Sequence, residues 1–183
     1  MEIKISTNQM LKILYVISWV IFIGVCIEAG SFITNAFFAL VNPVVVKRLW
    51  QQVDLSDLFK YDHGHFFVVT FIMSITAVMR AWIFYLIIKI LHDKKLNISK
   101  PFNKEVGRFI FKIAYLALLI GLFSFFGVKY VTWLIWQGVH ITDIQYLQLN
   151  GAAVWLFMGV TLFVIAQIFK SGIEIQSENE LTV

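Results

Sequence analysis

The sequence predicts an all-α fold: a polytopic membrane four-helix bundle with both termini cytoplasmic. The composition supports this class, since 60% of the 183 residues are hydrophobic and 14% are charged. Crossing the ~30 Å hydrocarbon core of a bilayer takes about 20 apolar residues, and four apolar runs in the chain reach that length. A soluble helix of that length would carry a polar face, and these runs mostly lack one. Little chain remains for a soluble domain, so we expect one integral membrane domain.

The four spans are separated by short polar segments. The first apolar run reaches Val41, and Asn42–Pro43 is expected to break it because the residue before a proline disfavours helix. This run is too long for the core of a cleavable signal peptide, so we expect it to be retained. Asn103 is expected to cap the third helix. The predicted spans are residues 11–36, 66–91, 108–136 and 148–170, with an outer segment at 42–65 and a cytoplasmic tail at 171–183.

Basic residues are distributed unequally between the two sides of the predicted bundle. The side with both termini and the loop between spans two and three has ten Lys and Arg residues, against four on the other side. Lys and Arg are enriched in cytoplasmic loops, so the ten-residue side is predicted to be inside. The outer side carries an aromatic belt: Trp50, Tyr61, Tyr130, Trp133, Trp136 and Tyr146.

Small residues recur at helical spacing in three spans and are expected to let helices approach closely in lipid. They are Cys26, Gly30 and Thr34 in the first span, Thr70, Ser74, Ala77 and Ala81 in the second, and Ala117 and Gly121 in the third.

Two charges lie within predicted spans, Glu28 and Arg80. Glu28 shares one helix face with Ser31 and Asn35, and it is either hydrated near the outer interface or a buried carboxylate. Arg80 flanks the small-residue face of the second span, so we expect it to point into the bundle. With Lys12 and Lys89 taken at the inner interface, the two charges differ in height by about 10 Å. We therefore favour snorkelling of Arg80 or its pairing with backbone carbonyls over a direct pair.

The outer segments contain His63 and His65 beside Asp62, and His140 and Asp143. These side chains would bind Zn²⁺ or Cu²⁺ only if the two outer segments met. A His-x-His pair alone is insufficient, since interfacial histidines are common, so no metal site and no cofactor is predicted. Catalytic serine, zinc-protease and phosphate-binding motifs are absent, and no enzyme activity is expected.

The cytoplasmic side has two candidate docking elements. The basic loop carries Lys94, Lys95, Lys100 and Lys104, which would contact either anionic lipid or an acidic partner. The tail from Ile173 is either a frayed terminus or an extended interaction segment, because apolar and polar residues alternate at its start. Its candidate contact residues are Glu174, Glu178, Glu180, Leu181 and Val183.

The tail sequence Phe169–Val183 and the Pro101–Phe102 pair, followed by Arg108, resemble a bacterial family of unknown function, DUF2975. The resemblance implies a small four-helix protein of the bacterial cytoplasmic (inner) membrane, without established activity. Members of the family are often encoded beside a small helix-turn-helix regulator. The resemblance thus implies a membrane partner of a DNA-binding protein and supplies no catalytic residues.

We therefore expect a non-enzymatic protein of the lipid bilayer that signals to, or sequesters, a cytoplasmic transcription regulator of the helix-turn-helix type. Direct contact with nucleic acid is not expected. The alternatives are a small transporter or export component with a polar path at Glu28 and Arg80, and an outer-face metal-sensing module.

Overall fold

The structure is a computed structural model that describes residues 7–41, 53–93, 103–141 and 147–181. All regular secondary structure in these residues is helical. Four of the helices are long and apolar enough to cross a membrane. The all-α class and the presence of four helices able to cross a membrane are therefore confirmed. The helices are α1 Thr7–Val41, α2 Ser56–Tyr61, α3 His63–His92, α4 Lys104–Trp136 and α5 Ala152–Leu181.

Side-chain caps set the starts of two spans. The Asn103 side chain accepts a hydrogen bond from the Glu105 amide at 2.7 Å, which confirms the predicted cap of α4. Asp62 caps α3 in the same way, with its Oδ1 atom 2.8 Å from the His65 amide nitrogen. Each cap satisfies an amide that has no partner within the helix. The predicted break at Asn42–Pro43 lies outside the described residues.

The four long helices pack in chain order. Extensive contacts join α1 to α3, α3 to α4, and α4 to α5, whereas α1 and α5 share no comparable interface in the described ranges. In the most apolar 18-residue stretch of each helix, 39% of the residues are buried in α3 and 28% in α4. The corresponding shares are 6% in α1 and 11% in α5. The central pair is therefore α3 and α4. The flanking helices expose large apolar side chains such as Val20, Phe37 and Phe157, which suits contact with lipid tails.

The connection between α4 and α5 folds back into the bundle. Its residues Leu147 and Leu149 are fully buried. A Cβ atom on Gly127 would lie 3.0 Å from Leu149 Cδ1, although Gly127 is nine residues, or about 13 Å, before the end of α4 at Trp136. Positive φ angles at Gly138 and at Gly151 accompany this return. As a result, α5 starts well short of the level of Trp136, where α4 ends.

The small-residue prediction is confirmed for α4 and wrong for α1. Cβ atoms on Gly121 and Gly159 would lie 2.7 Å from Leu156 Cγ and 2.8 Å from Leu118 Cγ, so α4 and α5 approach closely. In α1, the expected contact residues Cys26, Gly30 and Thr34 are exposed instead. The reason is that α1 turns another face towards the core, with buried residues Ser18, Ala29, Phe32 and Ala39.

The expectation of an extended tail is also wrong, because α5 continues as a helix to Leu181. Lys170 and Glu174 form an ion pair of 3.9 Å at i,i+4 spacing, and Ser177 Oγ donates to the Glu174 carbonyl at 2.8 Å. Glu, Gln and Leu favour helix, and the alternation of apolar and polar residues covers only four positions. Local helix propensity and continuity with the span therefore outweigh that short pattern.

Candidate functional site

A contact between α1 and α3 sets the relative height of the two helices. The Tyr15 hydroxyl lies 3.2 Å from His92 Nδ1, with the ring centroids 6.2 Å apart. Lys12 lies one turn from Tyr15 towards the start of α1, which is away from the centre of the bundle. Lys89 lies one turn from His92 in the opposite direction, towards the centre of the bundle. The two lysines therefore differ in height by about 9 Å. The sequence expectation placed them at the same level, which accounts for its apparent height difference between the two intramembrane charges.

Glu28 and Arg80 lie at the same level and form a direct pair. Arg80 Nη1 is 3.8 Å from Glu28 Oε1, and the two side chains are only 15% and 18% exposed. The direct pair, which the sequence expectation ranked below snorkelling or backbone pairing, is therefore present in the structure. The interpretation of Glu28 as a hydrated carboxylate at the outer interface is replaced by the buried one. Ser31 and Asn35 lie half-buried on α1, and the Ser31 hydroxyl donates to the Ile27 carbonyl at 2.7 Å.

Arg80 also has the backbone partner that the sequence analysis favoured. Its Nη2 atom donates a hydrogen bond to the carbonyl oxygen of Gln148, in the connection that folds back between α4 and α5. Gln148 has a positive φ of 55°, between the buried Leu147 and Leu149. No sequence pattern singled out Gln148, which lies at the start of the fourth predicted span. The one signal was the pair of apolar residues on either side of it.

The pair lies deep in the bundle. Arg80 is twelve residues from the end of α3 at His92, which corresponds to about 18 Å along the helix. Charges attract strongly where water is scarce, and a buried charge without a partner is costly. Glu28 Oε1 and Arg80 Nε have no hydrogen-bond partner among the described residues. The pair can hold α1, α3 and the α4–α5 connection together, and its polar groups are incompletely satisfied.

A small cavity lies next to Asn35, seven residues along α1 from Glu28. Phe32, Asn35, Thr70 and Met73 line it, and its volume is about 10 Å³. That volume accommodates at most a single water molecule. Both hydrogen bonds of the Thr70 hydroxyl go to backbone carbonyls of its own helix, Phe66 and Phe67. Asn35 is thus the polar side chain on α1 that borders this cavity.

The outer histidines take part in an aromatic cluster. His65 Nδ1 lies 2.5 Å from the Tyr130 hydroxyl, and the His65 ring is 5.6 Å from that of Trp133. The His63 ring lies 4.2 Å from Phe59. These contacts join α2, the start of α3 and the end of α4. In the described part of the chain, no group of three or more His, Cys, Asp or Glu residues could hold a metal ion; His140 is exposed, and Asp143 lies outside the described residues.

Those candidate docking residues that the structure describes lie at the opposite end of the bundle. There, the ends of α1 and α3 meet at Tyr15 and His92, and α4 meets α5 where a Cβ atom on Gly107 would lie 3.3 Å from Ile173 Cδ1. Lys104, Glu174 and Glu178 are exposed. Glu180 and Leu181 belong to α5, but only their backbone is described. Lys94, Lys95, Lys100 and Val183 lie outside the described residues.

Four apolar spans that enclose a charged pair define the class: the chain is a multi-pass integral membrane protein. The family model for "Protein of unknown function (DUF2975)" matches residues 50–183, or 134 of the 183 residues. The chain belongs to this family, which confirms the resemblance found in its tail. No match is found among curated proteins or among solved structures.

Proposed function

We propose that this protein is a non-enzymatic membrane anchor that binds a cytoplasmic regulator through the projecting end of α5. The observation that carries the proposal is that α5 extends beyond the helix it packs on. Ile173 lies against Gly107, near the start of α4. From there α5 continues for eight residues, about 12 Å, whereas α4 continues for only three, about 4.5 Å. The last turns of α5 therefore extend past the start of α4.

The surface of this helical end is suited to a basic partner with an apolar groove. Glu174 and Glu178 are exposed and lie one turn apart on the same face. Ile175 is 59% exposed although it is large and apolar. Helices that present acidic and apolar side chains in this way bind in grooves of partner proteins. The gene neighbourhood implied by the family resemblance favours a helix-turn-helix regulator as the partner.

The proposal requires the α5 end to face the cytoplasm of a bacterial inner membrane, as the ten-to-four distribution of Lys and Arg predicts. In a chain with Cys26→Ser, we expect a membrane-impermeant thiol reagent to label Asp54→Cys on intact cells. Ser177→Cys should be labelled only after the cells are opened. Labelling of Ser177→Cys on intact cells would reverse the topology and remove the proposed partner from reach.

The docking surface is tested by reversing its charge. We expect Glu174→Lys combined with Glu178→Lys to lose a regulator that the natural chain binds in native membranes, because both changes place positive charge against a basic partner. Asp57→Lys is the matched control, since Asp57 is an exposed carboxylate at the other end of the bundle. The measurement is co-purification of the regulator after crosslinking from a cysteine at Ser177.

If the chain with both Glu174→Lys and Glu178→Lys retained the regulator, docking through α5 would be contradicted. The basic residues at the start of α4 would then be the better candidate. A regulator lost equally from the Asp57→Lys chain would indicate a general charge effect and would also count against the proposal.

A second candidate function, transport of a small ion, is favoured by the partly unsatisfied Glu28–Arg80 pair. A polar path would use Glu28 as a protonatable group at mid-depth. The cavity of about 10 Å³ beside Asn35 provides too little space for such a path. Ion flux into vesicles that contain the purified chain, compared with Glu28→Gln, would test this function: flux that Glu28→Gln abolishes would favour it over anchoring.

A further inference from the structure

A cleft with a basic rim lies between the end of α3 and the start of α4. Its volume is about 190 Å³. Lys89 from α3 and Arg108 and Lys112 from α4 supply three cationic side chains to it. The carboxylates of Asp93 and Glu105 also border the cleft, so its lining carries one excess positive charge. The cleft takes no part in the Glu28–Arg80 site or in the proposed docking surface.

The three cations are available to an anion. Lys89, Arg108 and Lys112 are exposed, and no ion pair joins any of them to a carboxylate within the described ranges. The cleft also lies beside the first turns of α4, where the helix dipole favours negative charge. The segment between α3 and α4 has three more lysines in its sequence and no acidic residue between Asp93 and Glu105. The electrostatic surroundings of the cleft therefore favour an anionic ligand.

The other walls of the cleft are apolar. Leu86, Ile90 and Phe109 line it, and they belong to the membrane-spanning parts of α3 and α4. The cleft is also close to the level of Tyr15 and His92, where α1 meets the end of α3. A site with cations at the membrane surface and apolar side chains towards the bilayer matches the two parts of a phospholipid.

We propose that this cleft binds the phosphate headgroup of an anionic phospholipid. Arg108 and Lys112 lie one turn apart on α4, and Lys89 faces them from α3, so the phosphate would be held from two helices. The first part of the acyl chain would follow Leu86 and Phe109 towards the bilayer. A bound lipid of this kind would join the two central helices at the end where α3 finishes and α4 starts.

The test uses the full-length protein in detergent, mixed with equal amounts of phosphatidylglycerol and phosphatidylcholine and analysed by native mass spectrometry. We expect bound phosphatidylglycerol to predominate. Arg108→Gln with Lys112→Gln should reduce this preference by about fivefold or more, since one basic residue near an anionic surface contributes about a fivefold effect. Lys129→Gln, which removes an exposed cation at the other end of α4, should leave the preference unchanged.

Two further arms keep the test decisive. A phosphatidylglycerol with a photoreactive headgroup should crosslink the unmodified protein within residues 86–112, a result that does not depend on the folding of any variant. Inorganic phosphate at the same concentration should not displace the lipid. Equal loss of preference in the Lys129→Gln chain, crosslinking elsewhere, or displacement by inorganic phosphate would each overturn the proposal.

Discussion

The α4–α5 interface and the α1–α3 interface use different contacts to hold a flanking helix on the central pair. Between α4 and α5, Gly121 and Gly159 bring the helices so close that added Cβ atoms would meet the backbone nitrogens of Leu156 and Leu118 at 3.0 and 2.9 Å. The α1–α3 interface has no such glycine contact, because Gly30 is exposed and the core residues of α1 are Ala29, Phe32 and Ala39. Polar contacts at Arg80 and at Tyr15 add to this packing.

The difference follows from the solvent. Lipid tails are as apolar as the side chains that meet them, so burying Leu or Val between helices yields no hydrophobic gain. Helices in a bilayer associate through close van der Waals packing or through polar groups that have few other partners. This chain relies on close glycine packing on one side of the central pair and adds polar contacts to the packing on the other.

The polar interface also connects more of the structure. Arg80 contacts Glu28 of α1 and the carbonyl of Gln148, which precedes α5. The glycine interface joins only α4 and α5. A change in the position of α1 would therefore alter the partners of Arg80 and reach the start of α5, the helix whose other end we propose as the docking surface.

The largest effect is expected from breaking the ion pair. We expect Glu28→Gln to lower the free energy of unfolding by about 3 kcal/mol, because it leaves the Arg80 charge without its counter-ion. This value is at the low end for buried pairs, since both side chains retain some exposure. The measurement is the loss of helical signal during denaturation in mixed micelles.

The matched control is Glu28→Gln combined with Arg80→Met, which removes both charges and places a long, uncharged side chain at each position. We expect the double variant to be more stable than Glu28→Gln alone, because no uncompensated charge remains. The single variant Arg80→Met completes the comparison. If the stability losses of Glu28→Gln and Arg80→Met simply added up in the double variant, the pair would not couple α1 to α3, and the contrast between the interfaces would fail.

The next effect concerns the glycine interface. We expect Gly121→Ala with Gly159→Ala to destabilise the protein by about 1–3 kcal/mol, because the added methyl groups force α4 and α5 apart. Gly24→Ala with Gly30→Ala is the matched control in α1, where an added Cβ atom meets no neighbour within 4 Å. That pair should change stability by at most about 0.5 kcal/mol. Similar losses in both double variants would mean that close approach of α4 and α5 is not the cause of the first loss.

The spans were predictable because each requires only length and apolar composition, which can be read directly from the chain. The family was likewise recognised from the residues of the tail and of the α3–α4 loop. The helix cap at Asn103 and the close approach at Gly121 could also be predicted, since both depend on local patterns on one helix. These features do not depend on how one helix is shifted along another.

The candidate site could be predicted only in part, because it depends on that shift. Glu28 and Arg80 were identified as anomalous charges, but their pairing follows from the Tyr15–His92 contact, which no local pattern indicates. Gln148 was missed because its segment folds back into the bundle. The helical end of α5 was misread since four alternating residues resemble a strand, whereas the preceding span supplies a helix that simply continues.

The smallest effect tests what sets the α1–α3 register. We expect Tyr15→Phe to cost about 0.5–1 kcal/mol, because it removes one hydroxyl hydrogen bond to His92 near the membrane surface. The matched control is Tyr115→Phe at the α4–α5 interface, where Tyr115 contacts Phe163 through its ring, with centroids 5.7 Å apart. This control should be close to neutral, since ring packing is preserved. In the Glu28→Gln background, Tyr15→Phe should cost more than in the natural chain, because the hydrogen bond then supplies a larger share of the polar contact between α1 and α3. An unchanged or smaller cost in that background would show that the ion pair alone holds α1 in register.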